Sequence, residues 1–208
     1  MVSASDKSLT NDKSPTKEEK TEQRRLQILD AARLHVIEQG FHATSMAMVA
    51  KSSGLSVGQI YRYFENKEAI MGALVERITT RRLEWMDLSK SWLNPECADE
   101  SSLAPARISD DDRAIMLEIQ AEAARNPLIA EVSYQAHLRL EARAMSLLKT
   151  AYPEADEDYL RLISELRATL IQGMMLRRYD ARDIDQNAMT RFCMKLLKRL
   201  LDEGNSAK

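Results

Sequence analysis

Residues 44–67, TSMAMVAKSSGLSVGQIYRYFENK, constrain the fold more than any other part of the chain. Apolar side chains recur at helical spacing behind the N-cap candidates Thr44 and Ser45, and this pattern predicts a short helix. Gly54 then provides a residue that can adopt a positive φ angle where that helix must end. Ser56 is a second N-cap candidate and begins another helix, so the stretch is typical of a helix-turn-helix.

The second helix of this unit has the composition of a DNA-reading helix. In its sequence VGQIYRYF, Ile60 and Phe64 are four residues apart and share one inward stripe. The other positions place polar and aromatic side chains on the outer face. Because a short helix with such a face fits the major groove, the unit predicts binding to double-stranded DNA.

Composition favours helices along the whole chain. Six glycines and five prolines occur in 208 residues, so strong helix formers are rarely interrupted and we predict an all-α fold. Residues 1–20 carry almost no large apolar side chain and are predicted to form a disordered arm. We expect an N-terminal three-helix head with the helix-turn-helix at 21–82 and a helical body at 83–208.

The distribution of charge supports the head as the DNA-binding part. The net charge of −2 by itself predicts no nucleic-acid binding. However, residues 1–82 carry 13 Lys and Arg against 10 Asp and Glu, whereas residues 83–208 carry 17 against 22. The modestly basic head is therefore the part that favours phosphates.

The sequence gives no sign of an enzyme, a metal site or a membrane protein. Cys97 and Cys193 are far apart and share no metal-ligand spacing with the three histidines, and neither a phosphate-binding glycine loop nor an HExxH motif occurs. We therefore predict neither catalysis nor a cofactor. No apolar run is long enough to span a membrane and the start lacks the apolar region of a signal peptide, which predicts a cytoplasmic location.

Apolar periodicity and helix-ending residues predict the remaining elements. A linker or mobile loop is expected at about 87–110, where two prolines interrupt the periodicity. The predicted helices outside the central unit are about 21–39, 66–85, 111–125, 127–150, 156–178 and 185–202.

The last two predicted helices have wide apolar stripes. Leu162, Leu166 and Leu170 belong to the first stripe, and Phe192 and Leu196 belong to the second. We expect both helices to pack on the body and on a second copy of the chain, which makes a homodimer by four-helix packing. The alternative is that both stripes serve only the core of a single chain.

Ordered motifs across the head resemble a known family. They are Ile-Leu-x-Ala-Ala at 28–32, Gly-Phe at 40–41, Thr-Ser at 44–45, Val-Ala at 49–50, Gly-Leu-Ser at 54–56, Tyr-x-Tyr-Phe at 61–64 and Lys-Glu at 67–68. In this order and without gaps, they resemble the DNA-binding domain of the TetR family of bacterial transcriptional regulators. The resemblance implies a homodimer that binds a palindromic operator and releases it when a small-molecule effector enters the C-terminal ligand-binding and dimerisation domain.

Candidate DNA contacts lie at the starts of the helices and on the second helix of the unit. Gln59 can donate to and accept from an adenine edge, and Val57 can touch a thymine methyl group. The resemblance implies that Lys67 contacts a phosphate, and the hydroxyl group of Tyr61 or Tyr63 can do the same. The full set of candidates is Thr44, Ser45, Met46, Ser56, Val57, Gly58, Gln59, Tyr61, Arg62, Tyr63 and Lys67. For Thr44 and Ser45, helix capping alone is also a sufficient role, and Ala47 weakens a base contact at its own position.

The body is expected to hold an apolar effector pocket. Eleven methionines are many for this length, and methionine suits adaptable apolar sites, although such residues also simply fill cores. The candidates are Trp85, Met86, Met116, Tyr134, Met145 and Met174. The candidates to balance a cationic effector are Glu118, Glu122, Glu141 and Glu165. The alternative is that these side chains face solvent.

These features together favour a DNA-binding transcriptional regulator, a homodimeric repressor that an effector releases from its operator. The alternative is a TetR-like helical protein whose body pocket has a binding or enzymatic role without DNA. The retained residues Ser45, Tyr61, Tyr63 and Lys67 favour the regulator.

Overall fold

The structure is a computed structural model and describes residues 16–88, 110–176 and 185–206. Every regular element in these ranges is an α-helix, as predicted, and none of the described helices is long and apolar enough to cross a membrane. Most of the predicted 87–110 linker lies outside the described residues. The helices are α1 (Lys17–Ala43), α2 (Met46–Ser53), α3 (Val57–Ile60), α4 (Lys67–Leu88), α5 (Asp110–Ala123), α6 (Pro127–Ala151), α7 (Glu157–Leu176) and α8 (Gln186–Ser206).

Helix α1 begins four residues earlier than the predicted start near Thr21. Thr16 caps it: its Oγ1 accepts a hydrogen bond from Glu19 N at 3.2 Å, and its own N–H donates to the Glu19 carboxylate at 2.7 Å. This reciprocal capping box satisfies two amide groups that a helix start would leave unpaired. The prediction that residues 16–20 belong to a disordered arm is therefore wrong, and the rest of that arm lies outside the described residues.

Gly40 interrupts α1 close to the predicted helix end near residue 39, and the helix resumes to Ala43. Its φ of 84° and ψ of 159° lie in a region that is essentially restricted to glycine. Three side chains meet the backbone around this break. Thr44 Oγ1 donates to Gly40 O at 2.9 Å, Glu118 Oε2 of α5 accepts from Phe41 N at 3.0 Å, and Lys67 Nζ of α4 donates to Phe41 O at 3.0 Å. The break therefore joins α1 to α2, α4 and α5.

The helix-turn-helix is confirmed, although α3 ends at Ile60 and residues 61–63 of the predicted second helix form a turn. Ser45 Oγ caps α2 by accepting from Met48 N at 3.3 Å, and Gly54 ends α2 in the left-handed region at φ 66°. Ser56 caps α3, and Ile60 and Phe64 are buried with 0% and 3% of their surface exposed. Local capping and the inward pair thus fix the angle between α2 and α3.

The core of the head continues into the body. Buried Ile28, Val49 and Met71 of the head form one apolar cluster with Ile115 of α5 and Ile129 of α6. The boundary predicted between residues 82 and 83 falls inside α4. Because α4 packs on α1 and α6, it links the head directly to the centre of the body.

A second apolar cluster joins the far end of α4 to α6, α7 and α8. Helix α6 starts at Pro127 behind the cap Asn126, as predicted, whereas α8 extends to Ser206 instead of ending near Asp202. The buried members of this cluster are Met86, Ala144, Leu148, Leu160, Ile163, Leu197 and Leu201.

The outer surfaces of α7 and α8 keep large apolar side chains in contact with solvent. Leu162 is 69% exposed and Leu166 37% on α7, and Phe192 is 66% exposed and Leu196 43% on α8. The alternative that both stripes serve only the core of a single chain is therefore wrong for these four residues. Both helices have an inner stripe used by the core and an outer stripe left uncovered.

Gly40→Ala is expected to lower the free energy of unfolding by about 1–3 kcal/mol, because any side chain is strained in this region of φ and ψ. The added Cβ would also lie 3.2 Å from Glu118 Oε2. Gly58→Ala is the matched control, since nothing lies within 4 Å of its Cβ and alanine favours a helix. Urea denaturation measures both variants, and unchanged stability of Gly40→Ala would contradict the strained break.

Candidate functional site

Helix α3 and the turn after it present a largely exposed surface. Val57 is 39% exposed and Tyr61 52%, and Gly58, Gln59 and Arg62 are also exposed. Ser45 and Ser56 are exposed at the starts of α2 and α3. The structure therefore leaves most of the predicted DNA contacts accessible to a ligand as large as a duplex.

Gln59 is partly committed to holding α3 in shape. Its Oε1 accepts from Ser56 N at 2.8 Å, while Ser56 Oγ accepts from Gln59 N at 3.2 Å. This second capping box uses the amide oxygen that would accept from an adenine amino group. The predicted two-point contact of Gln59 with adenine therefore competes with the local fold, whereas its amide NH₂ group remains a donor.

The two tyrosines have different environments. Tyr61 is exposed, whereas Tyr63 is half-buried and packs against the core of the head. Arg25 of α1 donates to Tyr63 O at 2.8 Å and lies 4.4 Å from the centre of the Phe64 ring. This contact pins the end of the α3 turn to α1, so Tyr61 is the freer of the two hydroxyl groups.

Two of the predicted contacts are structural in this fold. Thr44 is 4% exposed, and its hydroxyl group donates to Gly40 O, so its side chain is not presented to a phosphate. Met46 is half-buried and packs against the core of the head. Both residues support the start of α2, and Ser45 is the exposed side chain there.

Lys67 joins α4 to the end of α1. Its ammonium donates to Phe41 O at 3.0 Å and His42 O at 3.1 Å, and lies 4.5 Å from the centre of the Phe41 ring. An ammonium has three donors, so these two bonds leave one N–H for an anion. Lys67 therefore combines a structural role with a position at the start of α4, where the helix dipole also favours negative charge.

The body contains a cavity of about 160 Å³ between α4, α5, α6 and α7. Of the six predicted pocket residues, only Met116 lines it. Met86 is buried in the second apolar cluster, where Trp85 and Met145 also pack. Tyr134 is 56% exposed, and Met174 Sδ accepts from the Thr190 hydroxyl at 3.8 Å. Five of the six predicted pocket residues therefore do not line this cavity, and their contact with an effector stays a prediction.

The cavity has polar residues that the sequence analysis missed. Arg82 of α4, Ser133 of α6 and Arg167 of α7 line it together with Val75 and other aliphatic side chains. Burial lowers the pKa of Arg82, and burial together with repulsion from Arg82 lowers the pKa of Arg167 to about 9.

A signal for these arginines was present in the sequence. On α4, Val75 and Ile78 precede Arg82 by seven and four residues, so Arg82 continues an inward apolar stripe. On α7, Leu160 and Ile163 precede Arg167 with the same spacing. A cation on the inward stripe of two helices predicts a polar interior site, because an unpaired charge is costly in a core.

The fold and the exposed α3 define a helix-turn-helix protein with a helical, cavity-containing body. Residues 28–74 match the family described as "Bacterial regulatory proteins, tetR family". This match covers the helix-turn-helix and most of the head.

Two relatives resemble the chain in sequence. The transcriptional regulator UidR of Escherichia coli is 32% identical over 117 residues, 56% of this chain and 60% of UidR. The repressor KstR of Mycobacterium tuberculosis is 24% identical over 180 residues, 79% of this chain and 76% of KstR. The first match thus spans about three fifths of the curated relative.

The whole fold has a counterpart among solved structures. The GusR protein of Salmonella enterica superposes with a TM-score of 0.72 and 27% identity, over 88% of this chain and 98% of GusR. The likeness covers head and body together, so the body described above is part of the shared architecture.

Gln59→Ala is expected to lower the free energy of unfolding by about 0.5–1 kcal/mol, because it removes one half of the α3 capping box. Gln59→Glu retains an acceptor for Ser56 N and should keep the stability of the native protein. Urea denaturation of both variants measures the difference. If the two substitutions had the same effect, the capping role of Gln59 would be refuted.

Proposed function

We propose that the protein is a DNA-binding transcriptional regulator. The observation that carries this proposal is the exposed α3, held rigid by the Ser56 and Gln59 capping box within the residues that match the TetR family. The match to a family of regulators, together with relatives that are themselves named regulators, favours this function over an enzyme. The exposed polar face of α3 tells against a helical protein that has lost DNA binding.

In this proposal α3 enters the major groove and neighbouring groups hold the backbone. Our candidates for contacting base edges are Val57, Gly58 and Arg62. These residues are exposed and take no part in the capping box of α3. Ser45, Tyr61 and the remaining N–H of Lys67 are the candidates for phosphates. Gln59 contributes its amide donor, and we assign no DNA contact to the buried Thr44 side chain.

We further propose a homodimer formed through α7 and α8. Their outer stripes expose two pairs of large apolar side chains, Leu162 with Leu166 and Phe192 with Leu196, each four residues apart. Exposed stripes on two adjacent helices favour an isologous contact in which four helices pack around a two-fold axis. Such a dimer presents two copies of α3 to half-sites about 34–36 Å apart on a palindromic operator.

The cavity is our candidate for the effector site, and α4 is the element that connects it to the DNA-binding face. Lys67 contacts the end of α1 at one end of α4, and Arg82 lines the cavity 15 residues later, about 22 Å along the helix. An effector that shifts the far end of α4 therefore changes the position of the head. We propose that this movement releases the operator, so that the protein acts as a repressor in the cytoplasm.

DNA binding is tested with the full chain and a fluorescent duplex taken from upstream of its own gene. Anisotropy titrations at several salt concentrations should give an affinity that falls as salt rises, because bound phosphates release counterions. A competition with unrelated duplex separates specific from non-specific binding. Absence of salt-sensitive affinity for any duplex would refute the proposed function.

Tyr61→Phe is expected to weaken binding to specific and unrelated DNA alike, by about 2- to 10-fold, the range of one neutral hydrogen bond. Tyr63→Phe is the matched control, because Tyr63 is half-buried against the core of the head, and it should have the smaller effect. The same anisotropy titrations measure both variants. A change in sequence preference with Tyr61→Phe would contradict a phosphate contact.

Phe192→Glu is expected to break the dimer without unfolding the chain, since its side chain is 66% exposed in the single chain. Analytical ultracentrifugation should show two 23.7 kDa chains together for the native protein and one for the variant. Leu34→Glu, at a residue of α1 that is 53% exposed, is the control and should remain dimeric. A native protein that stays a single chain at micromolar concentration would contradict the interface.

A further inference from the structure

The cavity brings two cationic side chains from different helices into one enclosed space. Arg82 projects from α4 and Arg167 from α7, and both are half-buried. The charge of Arg82 acts on Arg167, so the two guanidinium groups repel each other. Two like charges in a partly desolvated site raise the energy of the empty protein.

Arg82 lacks the ion pair that neighbouring arginines of α4 and α6 form. Its neighbour Arg81 pairs with Asp112 at 2.8 Å, and Arg77 pairs with Asp30 at 2.6 Å. Arg139 of α6 pairs with Glu76 at 2.5 Å. Within the described parts of the chain, Arg82 makes no hydrogen bond or ion pair, although it is less exposed than Arg81 and Arg139.

Besides Arg82, a second donor in the cavity lacks an acceptor. The Ser133 hydroxyl oxygen is buried and has no hydrogen-bond partner among the described residues, and Ser133 lines the same cavity. Buried polar groups in proteins are normally paired, so unpaired donors in one cavity indicate an absent acceptor.

The acidic side chains of the lining do not supply that acceptor. Glu141 is half-buried and Glu165 is exposed, and in the described ranges neither forms an ion pair with Arg82. His137, the remaining titratable residue of the lining, is exposed as well. His137 and Glu165 therefore lie nearer to solvent than the two half-buried arginines.

We propose that the cavity binds a small organic oxyanion, a carboxylate or a phosphate monoester, whose charged group lies between Arg82 and Arg167 and accepts from the Ser133 hydroxyl. This inference rests on the proposed function, since it names the chemical class of the effector. It replaces the expectation of an apolar pocket for a drug-like or cationic molecule.

The chemistry of the lining accounts for both parts of such a ligand. A guanidinium group offers a planar pair of donors that matches a carboxylate or phosphate, and this pairing is strongest where water is excluded. Aliphatic residues such as Val75, Ile78 and Ile119 line the same cavity and provide a surface for the uncharged body of the ligand. The volume of about 160 Å³ limits that body to a small molecule.

The test uses four probes of nearly equal shape on the full chain. Benzoate and phenylphosphate carry an oxyanion, benzamide is neutral and benzamidine is cationic. At millimolar concentration the two anions should raise the Tm of the native protein, because a ligand that binds only the folded state stabilises it. Benzamide and benzamidine should leave the Tm unchanged. The difference between the Tm shifts caused by benzoate and phenylphosphate separates carboxylate from phosphate recognition.

Two variants and a matched control locate the effect. Arg82→Met and Arg167→Met keep an unbranched side chain but remove the charge, and each should abolish the shift caused by the anions. Without any probe, Arg82→Met should also raise the Tm, by about 2–4 °C, because the repulsion between the two guanidinium groups is relieved. Arg81→Met removes the adjacent but exposed and ion-paired charge, and should retain the response to anions.

Three results would overturn the proposal. They are stabilisation by benzamidine instead of the anions, an anion effect that survives in both Arg82→Met and Arg167→Met, and no response to either anion. DNA anisotropy with the same proteins separates this inference from the proposed function. Salt-sensitive DNA binding without an anion response refutes the inference alone, whereas an anion response without DNA binding supports the cavity site and refutes the regulator.

Discussion

The hydrogen bonds around Gly40 are the constraint on which the arrangement of head and body depends. A helix that ends inside a protein must satisfy its last carbonyl groups, and here the Lys67 ammonium and the Thr44 hydroxyl group do so. The amide after the break is satisfied by Glu118 from the body. One glycine with a positive φ angle therefore fixes where α2 begins, where α4 starts and how α5 lies against α1. The position of α3 follows from these contacts.

The helix-turn-helix was predictable because the physics that forms it is local. Ser45, Gly54 and Ser56 each determine a helix end within four residues, and Ile60 and Phe64 are recognisable from spacing alone. The early start of α1 is also determined locally, by the capping box of Thr16 and Glu19. The polar composition of residues 16–20 concealed it, because such a composition is also typical of a disordered arm. The DNA contacts of the candidate site were less predictable from local sequence. Gln59 has the side-chain chemistry for a base contact, but its amide oxygen is used to cap α3.

The cavity could not be predicted from residue types, because it arises where four helices meet. Methionine and tryptophan suit both a core and a pocket, and the structure places Met86 and Trp85 in the core. Periodicity identified the apolar stripes of α7 and α8, but it could not tell which of their residues the core of the same chain covers, and Leu162 and Phe192 are exposed. The better guide was an exception to the pattern: a charged residue at an inward position, as with Arg82 and Arg167, indicates a place where the core is not purely apolar.

The capping box of α3 has a consequence for how such proteins diverge. Ser56 and Gln59 are needed for the shape of the recognition helix, whereas Val57, Gly58 and Arg62 are exposed and take no part in that box. Substitutions at these three positions therefore change the surface offered to base pairs at little cost to folding. A gene duplicate can in this way acquire a new target sequence by single steps, each of which leaves a folded protein for selection to act on.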